Sequence, residues 1–141
     1  MLWRLAPLLL GAWLTGCASL PSEVDRPVST ALANPAETRL GQLVAARAAK
    51  ASTRNDSGFA LVGSAELAFT SRMTLIKAAQ KTLDLQYYAI LADETTGRML
   101  EALREAAGRG VRVRILLDDF NTSGKNAQVL KLAFVPNIEL R

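Results

Sequence analysis

Val111-Arg-Val-Arg-Ile-Leu-Leu-Asp-Asp119 is the stretch whose reading decides the fold. Val111 and Val113 alternate with Arg112 and Arg114, the two-residue period of a β-strand. Ile115, Leu116 and Leu117 then run without interruption, the pattern expected of a strand covered on both faces. The run stops at two carboxylates, Asp118 and Asp119. A buried strand ending this way delivers charge to one edge of a sheet. In open α/β sheets the carboxyl ends of the strands are where ligands bind.

Working outward, the spacing upstream predicts a helix over 97–107, with Met99, Leu100 and Leu103 inward. Thr95 or Thr96 would cap it, and Gly108 and Gly110 would end it. Before it, Thr82–Ile90 reads as a strand. Leu83, Leu85 and Tyr87 share one face; Asp84, Gln86 and Tyr88 share the other, which must be wet or hydrogen-bonded. Ser64–Lys81 reads as a helix capped by Ser64, with Leu67, Met73, Ile76 and Ala79 along its apolar face. Phe59–Val62 reads as a short strand. Downstream, a polar loop (Phe120–Lys125) leads to a helix over about 126–133, ended by Pro136, and Ile138–Arg141 begins another strand. The order β-α-β-α-β-α-β predicts an α/β domain, a mostly parallel sheet with helices packed on it. If the strands ending at Tyr88 and Asp119 are parallel neighbours, their ends share one sheet edge.

Half of the 141 residues are hydrophobic and about one in five is charged, which suits one domain with a real core. The net charge of +4 fits an anionic lipid surface or a phosphate ligand, and is too weak and too evenly spread to indicate nucleic acid. The chain has no histidine. That excludes, within these residues, a Ser-His-Asp triad, a histidine nucleophile and any histidine metal site. No cofactor or metal is expected. Cys17 is the one cysteine, so no intrachain disulfide can form.

Residues 1–17 read as an export signal. Arg4 precedes the apolar stretch Leu5–Leu14, which is shorter than the roughly 20 residues that span a bilayer. Leu14-Thr15-Gly16-Cys17 resembles the bacterial lipoprotein signal. That resemblance implies cleavage before Cys17 and acylation of Cys17, hence an anchor in the bacterial cell envelope; several acyl chains on one residue hold stably. Ala18 and Ser19 follow where the usual retention residue is Asp, which implies the outer membrane, facing the periplasm. An ordinary secretory signal is the plainer alternative. Residues 18–57 read as a proline-bearing tether followed by a helix over 37–50 that docks through Leu40, Leu43 and Val44. Residues 58–141 form the domain.

Three pieces in fixed order carry a further resemblance: Thr82-Leu-Asp-Leu-Gln-Tyr-Tyr88, Gly97-Arg-Met-Leu-Glu-Ala-Leu-Arg104 and Arg109-Gly-Val-Arg-Val-Arg-Ile-Leu-Leu-Asp-Asp119. Together they resemble the opening of the phospholipase D superfamily, within it the bacterial cardiolipin-synthase-like lipoproteins. The resemblance implies a phospholipase D-like domain and phosphatidyl transfer or hydrolysis at phospholipid phosphodiesters. It also implies the motif His-x-Lys-x4-Asp, used twice per active site. One histidine attacks phosphorus and the other protonates the leaving alcohol, without a metal. That motif is absent here, so no catalytic residue is assigned and this short chain is expected to be inactive. The matching positions are supporting ones. Gln86, Tyr87 and Tyr88 lie on the strand reaching the active-site face. Asp118, Asp119 and Asn121, with Thr122, lie on the loop beside it. The plainer reading keeps Tyr87 in the core and Asp119 as a turn cap. Family relatives often carry a histidine near Leu91; this chain has Leu91-Ala92.

Two other readings stand beside this one. A non-catalytic outer-membrane lipoprotein acting as a binding or scaffold module would keep half the fold without the chemistry. A receiver-like signalling domain would use Asp118 and Asp119 around a metal, but the strand over 82–90 lacks a carboxylate at its tip. The final strand lies at the end of the 141 residues, which reads as truncation and leaves a sheet edge open to pairing with another chain.

Overall fold

The computed structural model describes residue 23, residues 28–51 and residues 57–141, and of Asp119 the backbone alone. The export signal and Cys17 lie outside the described residues.

Among the described residues, three α-helices and three strands build the domain: α1 (Arg39–Ala48), α2 (Ala65–Ala78), β1 (Thr82–Tyr87), α3 (Glu94–Gly108), β2 (Arg112–Leu117) and β3 (Ile138–Leu140). A 3₁₀ turn, Pro35–Glu37, precedes α1. A 3₁₀ segment, Gly124–Phe134, joins β2 to β3. The strands lie in the order β1-β2-β3, all parallel. The parallel α/β sheet read from the sequence is therefore present.

Each element has a local cause. Ser64 caps α2, its Oγ accepting from the Leu67 N–H at 3.1 Å, and Glu66 sits in the first turn, where negative charge suits the helix dipole. Helix α3 starts earlier than the sequence reading places it. Asp93, not Thr95 or Thr96, is the cap, and its carboxylate accepts from the Thr96 N–H at 2.7 Å. After α3, Gly110 adopts φ +88°, a left-handed conformation that glycine takes without penalty, and the chain turns into β2. Before β3, Asn137 adopts φ 67° and donates from Nδ2 to the Ala107 carbonyl at 3.2 Å. Asparagine is among the few residues that visit this region readily.

The core lies between the sheet and α2, α3 and the 3₁₀ segment. Val113 and Ile115 of β2 are buried with Met99, Leu100 and Leu103 of α3 and with Ile76 of α2. The 3₁₀ segment stands where the sequence suggests an α-helix over 126–133. Its three-residue repeat stacks the buried Val129 and Leu132 in one row, flanked by the half-buried Asn126 and Val135.

Four further expectations are corrected. Phe59–Val62 forms no strand; it is irregular, and Phe59 is 95% exposed. Leu116 is 50% exposed while its neighbour Ile115 is 1% exposed, so among the described residues β2 is covered on one face and not on both. The predicted docking helix leaves Leu43 and Val44 exposed, and α1 is tied at its first residue, whose N–H donates to Gln80 Oε1 at 2.6 Å. The leading segment is not free of contacts either. Ser29 and Thr30 are bound by arginines of the sheet's uncovered face.

Candidate functional site at the carboxyl edge of the sheet

Strands β1 and β2 run parallel with Tyr87 opposite Leu117, so both end on one edge. The Asp118 N–H extends the pairing by donating to the Tyr87 carbonyl at 3.3 Å. Tyr88 and Asp118 thus emerge side by side, as the sequence argument requires if these strands are neighbours.

The loops that follow are cross-tied. Asn121 Nδ2 donates to the Tyr88 carbonyl at 3.3 Å, and Asn126 Oδ1 accepts from the Ala92 N–H at 2.9 Å. Asp118 shapes its own turn. Its Oδ1 accepts from the Phe120 N–H at 2.9 Å, and its carbonyl accepts from Thr122 Oγ1 at 2.9 Å. These are the local bonds that let Asx residues hold turns without a ladder partner. They leave a polar edge whose backbone is fixed in place.

The candidate residues do not all face one space. Tyr87 points into the helix-covered side, where its hydroxyl donates to Met99 Sδ at 3.2 Å. Arg72 lies over its ring at 5.9 Å. Burial raises the Tyr87 hydroxyl above its ordinary pKa, and the Arg72 charge works against that rise. Gln86 is exposed on the opposite face, and Tyr88 is 74% exposed. Gln86, Tyr87, Tyr88, Leu116, Leu117 and Asp118 line one open hollow of about 300 Å³. A second hollow, about 210 Å³, lies across Tyr87 and is bordered by Arg72, Asp93 and Met99. Asp93 is held below the ordinary carboxylate pKa by the Thr96 N–H and the Thr95 hydroxyl. Among the described residues no three Asp, Glu, His or Cys side chains gather as a metal site. No helix of the described residues is long and apolar enough to cross a membrane.

Sequence reasoning misses three residues here. Asp93 carries a detectable signal, since aspartate three places before Thr96 is a strong cap pattern. Asn126 and Arg72 carry none, because each acts on a segment distant in the chain.

The edge falls inside a region shared with known proteins. Residues 73–137 match the family described as cardiolipin synthase, PLD-like domain. The chain is similar to cardiolipin synthase C of Escherichia coli (strain K12), 51% identical over 75 residues, which cover 52% of this chain and 16% of that protein. It is 31% identical over 129 residues to an uncharacterized protein of Helicobacter pylori (strain ATCC 700392 / 26695), covering 92% of this chain and 25% of that one. The chain thus spans no more than a quarter of the length of these relatives. The matched stretch holds β1, α3, β2 and the 3₁₀ segment, every element that builds the edge. Through residues 73–137 the chain is a cardiolipin-synthase-like member of the phospholipase D superfamily.

Proposed function

We propose that these residues are the N-terminal portion of an enzyme acting on phospholipid phosphodiesters, by phosphatidyl transfer or hydrolysis, and that alone they do not catalyse it. The observation that carries this reading is the family match over residues 73–137, which include the whole carboxyl edge, beside 51% identity to cardiolipin synthase C over 75 residues. The chemistry of the family needs one imidazole to attack phosphorus and another to protonate the leaving alcohol. The 141 residues contain no histidine, so both groups must come from outside them.

The role left to the chain is shape and position. The asparagine ties hold the loops after β1 and β2 at fixed separation, and Tyr87 walls the two hollows between them. A reacting phosphodiester needs such fixed walls, because orientation alone removes a large part of a bimolecular barrier. We further propose that Cys17 is acylated and anchors the chain in the envelope, in the outer membrane facing the periplasm. The alternative of a binding or scaffold module draws on the same missing imidazole.

Two measurements separate these readings. The 141-residue chain incubated with phosphatidylglycerol should form neither cardiolipin nor phosphatidic acid; turnover would overturn the claim that it is silent. Residues 73–137 grafted in place of the matching stretch of cardiolipin synthase C should preserve cardiolipin synthesis. A folded but inactive graft would favour the scaffold reading.

A further inference from the structure

Residues 28–42 read from the sequence as the end of a tether and the start of a docking helix, yet they are tied to the sheet at two places. The first tie lies on the polar face. Arg114 Nη1 donates to the Ser29 carbonyl at 3.2 Å and to Ser29 Oγ at 2.9 Å, and Arg141 Nη2 donates to the same Oγ at 3.2 Å. Arg112 Nη2 donates to the Thr30 carbonyl at 2.5 Å, and Arg112 Nε is shut off from solvent. Arg114 also forms a two-pronged ion pair with Asp84 of β1, one contact at 2.8 Å, and Glu139 of β3 stands beside it in register. Charged donors make stronger hydrogen bonds than neutral ones. Arg112 precedes Arg114 on β2, whereas Thr30 follows Ser29. The segment therefore runs antiparallel to β2, toward the amino edge of the sheet.

The second tie lies at that amino edge. The Arg39 N–H donates to Gln80 Oε1 at 2.6 Å, just before β1 begins. From Pro35 onward the link between the ties is stiff. Thr38 Oγ1 accepts from the Gly41 N–H at 3.0 Å and donates to the Pro35 carbonyl at 2.8 Å. Gln42 Nε2 donates to the Ala36 carbonyl at 2.9 Å. A Cβ at position 41 would collide with the Pro35 carbonyl oxygen, so only glycine admits this turn. The match to the Helicobacter pylori protein spans 129 residues, 92% of this chain, and so includes residues 28–42, although the family match starts at residue 73. Segments that pack on nothing diverge in sequence and length.

We propose that residues 28–42 are a clip, part of the domain and not of the tether, which fixes the carboxyl edge from the side opposite the helices. The ties reach that edge through the backbone of Arg141. Its N–H donates to the Ile115 carbonyl at 2.8 Å, and its carbonyl accepts from the Leu117 N–H at 2.7 Å. Ser29 Oγ thus holds the residue that holds Leu117, and Leu117 leads directly into Asp118. On the neighbouring strand, the bond to Gln80 fixes the entry to β1, whose exit is Tyr88. Ser29 is a positioning residue that acts through Arg114 and Arg141. The clip depends neither on the chemistry that the edge serves nor on an anchor at Cys17.

Amide hydrogen exchange of the full chain, read residue by residue by NMR, tests the clip. The Arg39 and Leu117 amides should both be protected in the parent chain, and Gln80→Ala should remove the protection at Arg39. Ser29→Ala deletes the shared hydroxyl without touching a strand, and should speed exchange at Leu117 and Asp118 about tenfold, the effect of losing a charge-assisted hydrogen bond. The Val113 amide, which donates to the Asn137 carbonyl at 2.8 Å on the same strand, should stay slow. Ser29→Thr keeps the hydroxyl and should restore the parent rates. Exchange at Leu117 that is unchanged in Ser29→Ala, or an Arg39 amide that is unprotected in the parent chain, would overturn the clip. Equal acceleration at Val113, or no rescue by Ser29→Thr, would overturn the positioning role, because Ser29 would then support the fold as a whole.

Discussion

The two faces of one three-stranded sheet follow different physics. On the helix side, Val113 and Ile115 lie against Leu103, Val129 and Leu132, all fully buried. On the other side the same strand presents Arg112, Arg114 and Leu116, and order comes from the Asp84–Arg114–Glu139 ladder and the ties to Ser29 and Thr30. Burial of apolar surface is worth about 25 cal/mol per Å², whereas a half-exposed ion pair contributes well under 1 kcal/mol. Stability should therefore reside almost wholly on one face, and positioning on the other.

The sharpest way to break that contrast uses adjacent residues. Ile115→Ala should cost about 2–5 kcal/mol, because it removes transfer energy and leaves a cavity. Leu116→Ala should change stability by roughly 0.5 kcal/mol, as surface substitutions do. Urea titration of both variants measures the difference. Equal losses would show that the polar face is packed after all.

That pair also shows how far the sequence could be read. Alternation, caps and glycines are local signals, so α2, α3 and the parallel pairing of β1 with β2 were legible from residues such as Ser64, Leu103 and Gly110. The faces of β2 were marked too, since the two-residue period places Ile115 with Val111 and Val113 and Leu116 with Arg112 and Arg114, but the apolar run Ile115–Leu117 hid that mark. Phe59–Val62 has the composition of a strand, but a strand exists only beside a partner, and among the described residues none pairs with it. The clip was illegible for another reason. Its acceptors are mostly main-chain carbonyls, which every residue owns. At the carboxyl edge, the convergence of Tyr88 and Asp118 followed from topology, whereas the tie from Asn126 depends on where the 3₁₀ segment docks.

The edge between the two faces should respond at an intermediate level. Asn126→Ala removes the acceptor for the half-buried Ala92 N–H and should cost about 1 kcal/mol. It should also speed hydrogen exchange at Ala92 while leaving the β2 amides slow. If exchange rises throughout β2 as well, the loop tie belongs to the core rather than to the edge.

The smallest expected effect tests the polar face itself. Arg114 hydrogen-bonds the Asp84 carboxylate and holds its pKa below the ordinary value, outweighing the modest burial that would raise it. A depressed folded pKa means that the contribution is complete above the unfolded value and is lost as pH falls through the folded one. Asp84 is largely exposed, so solvent screening leaves about 0.5 kcal/mol at neutral pH. Asp84→Asn should therefore be slightly less stable than the parent at pH 7, and the gap should close at pH values below the ordinary carboxylate range. Asp93, whose pKa is lowered by its cap bonds to Thr96 and Thr95, lies outside this pair. Its share of the acid loss should persist unchanged in Asp84→Asn. A gap that widens on acidification would mean that the Asp84–Arg114 pair stabilises the unfolded chain more than the sheet, and the ladder would lose its place in holding this face.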